Sequence, residues 1–436
     1  MNKIFSICLF SVFLSPCLAD TAADPNSLQF TSSFDNFAAV SCDKSATLCM
    51  AIGGKTELNS NPRLVYMSQD GGNTWSDAMD LPSVEKESTP NDSSLVQSLS
   101  CNDSGMSCVV VSSAFVQNVP VPVVYTTQDR GFTWSKPQVL GLPKIINKKI
   151  PHSNDTVSVK VTCDQTGLNC KIAGTFISRK GAVPLLYLSK NAGQNWSRFD
   201  QLQQPYWTAP SSLDYTGTAL NSIACGQSGR NCIAVGSVMT ANSWLSLRYS
   251  DKPIVYSTKD AGVTWSAPVI LPTPVNDNNA STVTAAACDA SGKLCTVIGY
   301  TVNVDTYQKK SFSFTTKNGG KAWGKQTHIP SDGLDLYLNA LDCDEMGQFC
   351  HAVGWDYKKV KTIPILKAVV FTTINGAASW EKLSSDSFPS ASLFSDVFCD
   401  DTASHCVGVG VHAQIAARLS VAAPLRAAHQ SSTTHQ

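Results

Sequence analysis

Residues 254–265 read Ile-Val-Tyr-Ser-Thr-Lys-Asp-Ala-Gly-Val-Thr-Trp, an apolar run followed by a motif of the form Ser/Thr-x-Asp/Asn-x-Gly-x-x-Trp. In such a turn the Asp or Asn side chain accepts hydrogen bonds from nearby backbone N–H groups, and the Gly adopts a positive φ. The Trp then packs its large apolar face between strands. The stretch therefore predicts a β-strand that ends in a self-contained turn, with the tryptophan in a structural role.

The same motif occurs six times along the chain, and the last copy has Ala in place of Gly. The Asp or Asn and the Trp of the six copies are Asp70 and Trp75, Asp129 and Trp134, Asn191 and Trp196, Asp260 and Trp265, Asn318 and Trp323, and Asn375 and Trp380. Copies at a regular spacing indicate a repeat protein. This overrides the two or three domains that the length of 436 residues would otherwise suggest.

Cysteines repeat with the same period, because fourteen of the sixteen form pairs with six residues between the two members. The predicted disulfides are Cys42–Cys49, Cys101–Cys108, Cys163–Cys170, Cys225–Cys232, Cys288–Cys295, Cys343–Cys350 and Cys399–Cys406. An even number of cysteines in an exported chain favours disulfides. Zinc sites use two to four intervening residues and gather four ligands at one point, so the spacing argues against zinc and we expect no metal.

Each cysteine pair joins two apolar segments through a short polar stretch, which is typical of a hairpin. A third apolar segment precedes the turn motif and a fourth follows it. Four strands in each of seven units predict an all-β, seven-bladed β-propeller of four-stranded antiparallel blades, with one disulfide in every blade. The segment 27–30, Ser-Leu-Gln-Phe, precedes the first unit. We expect this N-terminal strand to complete the last blade and close the ring.

The six turn motifs make the chain similar to the Asp-box (bacterial neuraminidase repeat) propellers, which include sialidases, xyloglucanases, sortilin-type receptor domains and photosystem II assembly factors. The resemblance covers nearly the whole mature chain and implies a fold rather than an activity. It implies for a sialidase an Arg-Ile-Pro segment, two further arginines, a Tyr nucleophile with a Glu partner, and an acid Asp. The sequence has only Asn61-Pro62-Arg63-Leu64, and none of its five glutamates has a recognisable Tyr partner.

The N-terminus carries Met1-Asn2-Lys3, an apolar run over 4–14, and Ala19 before Asp20, which predicts a signal peptide over residues 1–19. We therefore expect a secreted or periplasmic protein with one propeller domain over 20–420 and a disordered tail over 421–436. No later segment approaches the roughly 20 apolar residues of a membrane span. Lys+Arg and Asp+Glu are equal at 33, so we expect neither a nucleic acid nor a membrane partner, and we expect a monomer.

The variable loops should lie on the face opposite the disulfide turns, and they cluster residue types that are typical of recognition surfaces. The candidate binding residues are Tyr206, Trp207, Trp244, Arg248, Tyr249, Tyr307, Trp355, Tyr357 and Lys358. The same residues could instead only pack the long hairpins together. We predict a non-catalytic propeller that binds a protein or glycan through this face and needs no cofactor.

The alternative function is a glycoside hydrolase with a divergent carboxylate pair. It requires two carboxylates of this face to lie within about 5–10 Å of each other. The candidates are Asp214, Asp305, Asp332 and Asp356. The histidines show no spacing typical of a metal site, and we expect His351 to lie at the surface of a sheet.

Overall fold

The computed structural model describes residues 35–55, 63–84, 96–143, 155–178, 181–200, 202–203, 215–241, 251–273, 279–303, 305–331, 335–360, 363–383, 393–411 and 417–418. Within these ranges the regular structure consists of strands, which confirms the all-β prediction. The described residues contain no helix with the length and hydropathy needed to cross a membrane. The predicted signal peptide, the N-terminal closing strand and the tail lie outside the described residues.

The strands fall into seven successive units that follow the cysteine pairs. Unit 1 contains β1 (Asp35–Cys42), β2 (Cys49–Lys55), β3 (Leu64–Ser68) and β4 (Met79–Asp80), and unit 2 contains β5 (Val96–Cys101), β6 (Cys108–Val116), β7 (Val119–Thr127) and β8 (Gln138–Val139). Unit 3 contains β9 (Thr156–Cys163), β10 (Cys170–Ser178), β11 (Gly181–Ser189) and β12 (Ser197–Arg198), and unit 4 contains β13 (Tyr215–Cys225), β14 (Cys232–Ala241), β15 (Lys252–Thr258) and β16 (Val269–Ile270). Unit 5 contains β17 (Asn279–Cys288), β18 (Cys295–Asn303), β19 (Lys309–Thr316) and β20 (Thr327–His328); unit 6 contains β21 (Asp335–Cys343), β22 (Cys350–Val360), β23 (Ile363–Thr373) and β24 (Glu381–Lys382); and unit 7 contains β25 (Leu393–Cys399), β26 (Cys406–Val411) and β27 (Ala417–Arg418).

Within each of units 1 to 6 the strands pair antiparallel in chain order, and the last unit has three described strands. One parallel bridge between Lys309 and Asp335 joins the sheets of units 5 and 6. All seven predicted disulfides are present, and each links directly opposed residues of the first and second strands of one unit. Seven disulfides are typical of an extracellular or otherwise oxidising compartment.

The turn between the two cysteines of a unit has its own local chemistry. In unit 5 the Asp289 carboxylate, one residue after the first cysteine, accepts hydrogen bonds from the backbone N–H groups of Lys293 and Leu294. The fourth residue after the first cysteine has a positive φ in every unit, and in units 1 and 7 this residue is Ala46 and Ala403 instead of Gly. An Asx-type cap therefore stabilises this turn in addition to the cross-link, and an Asp or Asn occupies the capping position in every unit except unit 4, which has Gly226.

The six Ser/Thr-x-Asp/Asn-x-Gly/Ala-x-x-Trp segments, here called box turns, adopt one common geometry. In unit 4 the Thr258 hydroxyl donates to the Asp260 carboxylate and accepts from the Gly262 N–H, while that carboxylate also accepts from the Thr264 N–H. Ala377 occupies the Gly position of the last copy and still has a φ of 62°. All six tryptophans pack against buried apolar clusters, namely Trp75, Trp134, Trp196, Trp265, Trp323 and Trp380.

Box turns and disulfide turns lie side by side at one end of the sheets. The backbone N–H of Ala261, in the box turn of unit 4, donates to the carbonyl of Arg230 in the disulfide turn of the same unit. Equivalent bonds join Arg130 to Met106 and Gly319 to Lys293. We call this end the turn rim, and the opposite end, where the second and third strands of each unit connect, the loop rim.

Neighbouring units contact each other through their first strands. A β-bulge lies four residues before the first cysteine in six of the seven units. In units 2, 4, 5 and 6 the side chain of the bulge residue bonds to the first strand of the next unit, as when Asn221 Nδ2 donates to Val283 O and Asn339 Nδ2 donates to Phe394 O. These side chains fix the lateral register between sheets that share few backbone hydrogen bonds.

Candidate functional site

The structure describes only part of the predicted binding surface. Tyr206, Trp207, Trp244, Arg248 and Tyr249 lie outside the described residues, and Lys358 lies in β22 with a side chain that is not described. The remaining predicted residues, Tyr307, Trp355 and Tyr357, belong to units 5 and 6. All three lie toward the loop rim: Tyr307 is in the connection between β18 and β19, and Trp355 and Tyr357 are in the half of β22 that leads away from Cys350.

Trp355 lies beside aromatic residues that the sequence analysis did not single out, and Tyr357 lies opposite Asp335 in the same sheet. Tyr337 is directly opposite Trp355 in the sheet of unit 6, and their rings stack with centroids 3.9 Å apart and planes 16° apart. Tyr300 of unit 5 meets Tyr337 edge to face at 5.7 Å. None of the three rings is fully buried. We call Tyr300, Tyr337 and Trp355 the aromatic cluster; it spans the junction between units 5 and 6.

A lysine covers the other side of this cluster. Lys309 Nζ lies 3.7 Å from the Tyr337 ring centroid and 5.6 Å from that of Tyr300, which is cation–π geometry. Burial lowers the pKa of Lys309, and the nearby carboxylate of Asp335 partly offsets that effect. Asp335 also accepts the backbone N–H of Lys309 at 3.0 Å, so the lysine is fixed at its Cα as well as at its tip. The junction thus combines ring faces with one fixed cation.

The loop before Lys309 presents a further aromatic ring to solvent. Asn303 Oδ1 accepts the backbone N–H groups of Asp305 and Thr306, and the Tyr307 N–H donates to Asn303 O at 2.7 Å. Tyr307 has a φ of 58° and is 56% exposed. A tyrosine in the left-handed region costs free energy relative to Gly, and such strain is concentrated at functional positions.

The carboxylates that the hydrolase alternative requires do not form a pair among the described residues. Asp356 is 3% exposed, and its carboxylate lies 3.7 Å from Lys382 Nζ. Asp305 lies in the exposed turn that Asn303 caps. Asp214 and Asp332 lie outside the described residues, as do Glu57, Glu85 and Glu87.

A cavity lies between the first strands of all seven units, apart from the aromatic cluster. This cavity has a volume of about 320 Å³ and is lined by the first strands and the disulfide turns. Its charged residues include Lys160, Asp342 and Asp396. The Asp342 side chain faces the cavity but lies deep in the molecule, and this burial raises the pKa of its carboxyl to about 7. Burial also raises the pKa of Asp396, and Lys160 partly offsets this effect.

Both cavity carboxylates already serve the contacts between units. Asp342 accepts the backbone N–H of Cys399 at 2.7 Å, and Asp396 accepts that of Val40 at 3.2 Å. In unit 2 the hydroxyls of Ser100 and Ser98 accept from the next unit at the same two positions. Sequence reasoning missed Asp342 and Asp396, although a polar residue one or three places before the first cysteine is a repeated signal.

The mouth of the cavity at the turn rim is bridged by side chains from four units. Lys44 of unit 1 contacts Asp401 of unit 7 and lies 2.8 Å from Glu345 of unit 6, which also accepts from Gln227 of unit 4 at 2.7 Å. The hydrogen bonds to Asp401 and Glu345 raise the pKa of Lys44, and the hydrogen bond from Lys44 lowers that of Glu345 to about 2. Burial raises the pKa of Asp401, and the hydrogen bond from Lys44 offsets only part of this increase. Glu345 thus holds the cavity mouth together.

His351 does not lie at a sheet surface, and that prediction is wrong. The side chain is 2% exposed, and Nε2–H donates to the carbonyl of Ala403 at 3.1 Å. Nδ1 has no hydrogen-bond partner among the described residues. The alternating pattern of β22 could not show this burial, because the covering turn belongs to the next unit.

No protein-family model matches the sequence, and no curated protein matches it. Among solved structures, a PL25 ulvan lyase bound to a saccharide gives a TM-score of 0.52 at 8% identity, with 89% of this chain and 95% of the lyase covered. YCF48 bound to a D1 peptide gives a TM-score of 0.46 at 12% identity, with 91% of this chain and 98% of YCF48 covered. The α-L-arabinofuranosidase Arb93A from Fusarium graminearum gives a TM-score of 0.47 at 12% identity, with 78% of this chain and 94% of the arabinofuranosidase covered. At these identities the comparisons concern the fold alone, and the fold they support is a β-propeller.

Proposed function

We propose that the chain is an exported, monomeric β-propeller of seven blades, and that its ring is closed where unit 7 meets unit 1. The support comes from repeated contacts. Asp396 of unit 7 accepts the backbone N–H of Val40 in unit 1, and Ser98 of unit 2 accepts that of Val161 in unit 3 at the equivalent positions. Apolar residues of β26 and of β1 also share one buried cluster. The N-terminal segment 27–30 would supply the fourth strand of the last blade.

The propeller acts as a binding protein for a protein or glycan partner, with the junction of units 5 and 6 at the loop rim as the described part of its surface. The observation that carries this proposal is the aromatic cluster with Lys309 fixed above Tyr337. Stacked aromatic rings beside a cation offer both ring faces and a charge-assisted donor, and aromatic anchors dominate binding energy at interfaces. The exposed ring of Tyr307 extends the same surface. The candidate residues outside the described ranges would lie on the loops of the adjoining unit 4.

The alternative function is a glycoside hydrolase, and one observation favours it: Asp342 has a pKa near 7 and faces a cavity together with Asp396. A carboxyl with a raised pKa is the usual general acid of such enzymes. Against this assignment, each carboxylate accepts a backbone N–H of the next unit, as serines do elsewhere in the ring. The side chains of Lys44, Glu345 and Gln227 also bridge the mouth of that cavity.

Two assays on the oxidised protein separate these functions. On an array of glycans and peptides, a binding protein gives discrete signals that Trp355→Ala or Trp244→Ala weakens by about 10-fold or more, since a buried aromatic anchor contributes about 2 kcal/mol. In a panel of fluorogenic glycosides it gives no turnover. Turnover that Asp342→Asn abolishes would establish the hydrolase instead, and turnover of any sialoside would contradict the proposal directly.

A further inference from the structure

One disulfide differs from the other six in what packs against it. A ring nitrogen of His351 and the Sγ atoms of Cys399 and Cys406 all lie within 4.8 Å of one another. His351 belongs to unit 6 and the two cysteines to unit 7. Among the described residues this is the one group of three potential metal ligands of these types that falls within such a distance.

The repeat explains why a histidine occupies this place. In units 1 to 4 the residue after the second cysteine lies against the glycine of the next unit's box turn: Met50 against Gly131, Val109 against Gly193, Lys171 against Gly262, and Ile233 against Gly320. Unit 7 has no box motif, so His351 meets the disulfide turn of unit 7 instead. No other unit has a histidine at this position.

The environment suits a thiophilic cation once the sulfurs are free. His351 is 2% exposed, Cys399 6% and Cys406 0%, so the three groups are shielded from water. With Nε2–H held by Ala403, Nδ1 retains its lone pair and has no hydrogen-bond partner in the part of the chain that the structure describes. Two thiolates and one imidazole with an open fourth position form a known zinc ligand set. Bonds of about 2.3 Å to sulfur and 2.0 Å to nitrogen place tetrahedral ligand atoms about 3.5–4 Å apart. The two sulfurs must therefore move apart once their bond is reduced, and the imidazole nitrogen must lie within that distance of both.

We propose that reduction of the Cys399–Cys406 disulfide converts this group into a Zn²⁺ site made of Cys399, Cys406 and His351. A dithiol reductant supplies the two electrons: its thiols form a disulfide, and Cys399 and Cys406 become thiols. Zn²⁺ then displaces one proton from each thiol. The third ligand comes from a neighbouring unit, and for that reason the spacing of the cysteines in the sequence does not reveal the site.

The test uses the full chain, reduced with a dithiol that is then removed under anaerobic conditions, and Co²⁺ as a spectroscopic probe. The reduced protein should show sulfur-to-cobalt charge-transfer absorption that Zn²⁺ abolishes, and the oxidised protein should not. His351→Val should weaken this binding by more than the roughly 10–100-fold that loss of an outer-shell partner costs. The matched control Thr296→Val, at the same position in unit 5, should leave it unchanged. Equal binding by the oxidised protein or by His351→Val would overturn the proposal.

A second measurement remains decisive even if reduction loosens the fold. Zn²⁺ is added to the reduced chain, free thiols are alkylated in a short pulse, and the modified cysteines are located by mass spectrometry. Cys399 and Cys406 should be protected relative to the twelve cysteines of the other six pairs, and His351→Val should remove that protection. Uniform alkylation of all seven pairs in the presence of Zn²⁺ would refute the site.

Discussion

The two rims of the molecule are built on different principles. At the turn rim the units repeat the same solution: a disulfide in all seven, an Asp or Asn after the first cysteine in six, and in units 1 to 6 a box turn whose hydrogen bonds lie within a few residues of one another. At the loop rim the connections differ between units. That of unit 2 turns over at Gln117 and Asn118, while that of unit 5 uses the capped turn that presents Tyr307.

We expect this difference to separate stability from recognition. The disulfides and the hydrogen bonds of the box turns are short-range in sequence and repeated, so each one adds to the stability of its own unit and leaves the others unchanged. The aromatic cluster and Lys309 occur only at the junction of units 5 and 6 among the described aromatic and cation–π contacts of this kind. Variants at the turn rim should therefore change the free energy of unfolding, and variants at the loop rim should change binding.

The largest effect should come from a disulfide of the turn rim. Replacing Cys101 and Cys108 together with Ala should lower the free energy of unfolding by about 2–3 kcal/mol, the value for a cross-link that closes such a short loop. Chemical denaturation of the variant and the wild type measures this change. Affinity for an array ligand, measured below the unfolding transition, should stay the same, and a loss of affinity would break the division between the rims.

The next effect concerns the buried carboxyl of Asp342. Burial raises its pKa in the folded protein to about 7, above the ordinary value of 3.8, so the folded state binds this proton more tightly than the unfolded state does. Stability due to this group is therefore complete below about pH 4 and is lost as the pH rises to about 7. Asp342→Ser introduces the residue that unit 2 has at the equivalent position, Ser100, and should abolish this loss of stability at higher pH.

At pH 8 the Asp342→Ser variant should exceed the wild type by about 1–2 kcal/mol, a value reduced from the full effect because the side chain faces the cavity. Denaturation curves at pH 5 and pH 8 provide the measurement. Ser100→Ala is the control, since its effect on stability should be independent of pH. A wild type with the same stability at both pH values would show that the Asp342 carboxyl is not perturbed.

A single box turn should contribute less. Asp260→Ala removes the acceptor of the Thr258 hydroxyl and of the Thr264 N–H, and should cost about 1 kcal/mol. Lys259→Ala, in the neighbouring exposed position, is the matched control and should change the melting temperature little. If Asp260→Ala behaved like this control, the box turn would not be the stabilising element that its hydrogen bonds indicate.

The smallest effect should be found at the loop rim, and it should have the opposite sign. Tyr307→Gly relieves a left-handed φ of 58° and should stabilise the fold by about 0.5–1 kcal/mol. Removal of a ring that is 56% exposed should at the same time weaken ligand binding. Thermal unfolding and affinity are measured on the same preparation; a loss of stability in this variant would contradict the strain at Tyr307.

The sequence predicts what is local and repeated. The disulfide pairs, the four-stranded order and the positive φ of Gly262 follow from spacing and turn chemistry within one unit. Contacts between units could not be predicted in this way. Tyr300 and Tyr337 join the aromatic cluster only because two sheets meet, and His351 is buried by a turn more than fifty residues further along the chain.

The same limit applies to charge. Asp342 and Asp396 lie in β-strands where nothing in the sequence of one unit distinguishes them, and only the packing of the seven units places them in a common cavity. Asp356, which belongs to the apparent loop face in the sequence, is instead buried beside Lys382 of the outer strand. Long-range packing therefore decides which carboxylates are available, and no pattern within one repeat carries that information.

Comparison of matched aromatic variants on the two rims tests the account most directly. Trp355 lies in the aromatic cluster of the loop rim, and Phe132 lies in a box turn with 66% of its surface exposed. The dissociation constant of the strongest array ligand is measured for Trp355→Ala and Phe132→Ala, with melting temperatures as the check on folding. The account predicts an increase of about 10-fold or more for Trp355→Ala and none for Phe132→Ala. Unchanged affinity in Trp355→Ala, or a loss in Phe132→Ala, would contradict it.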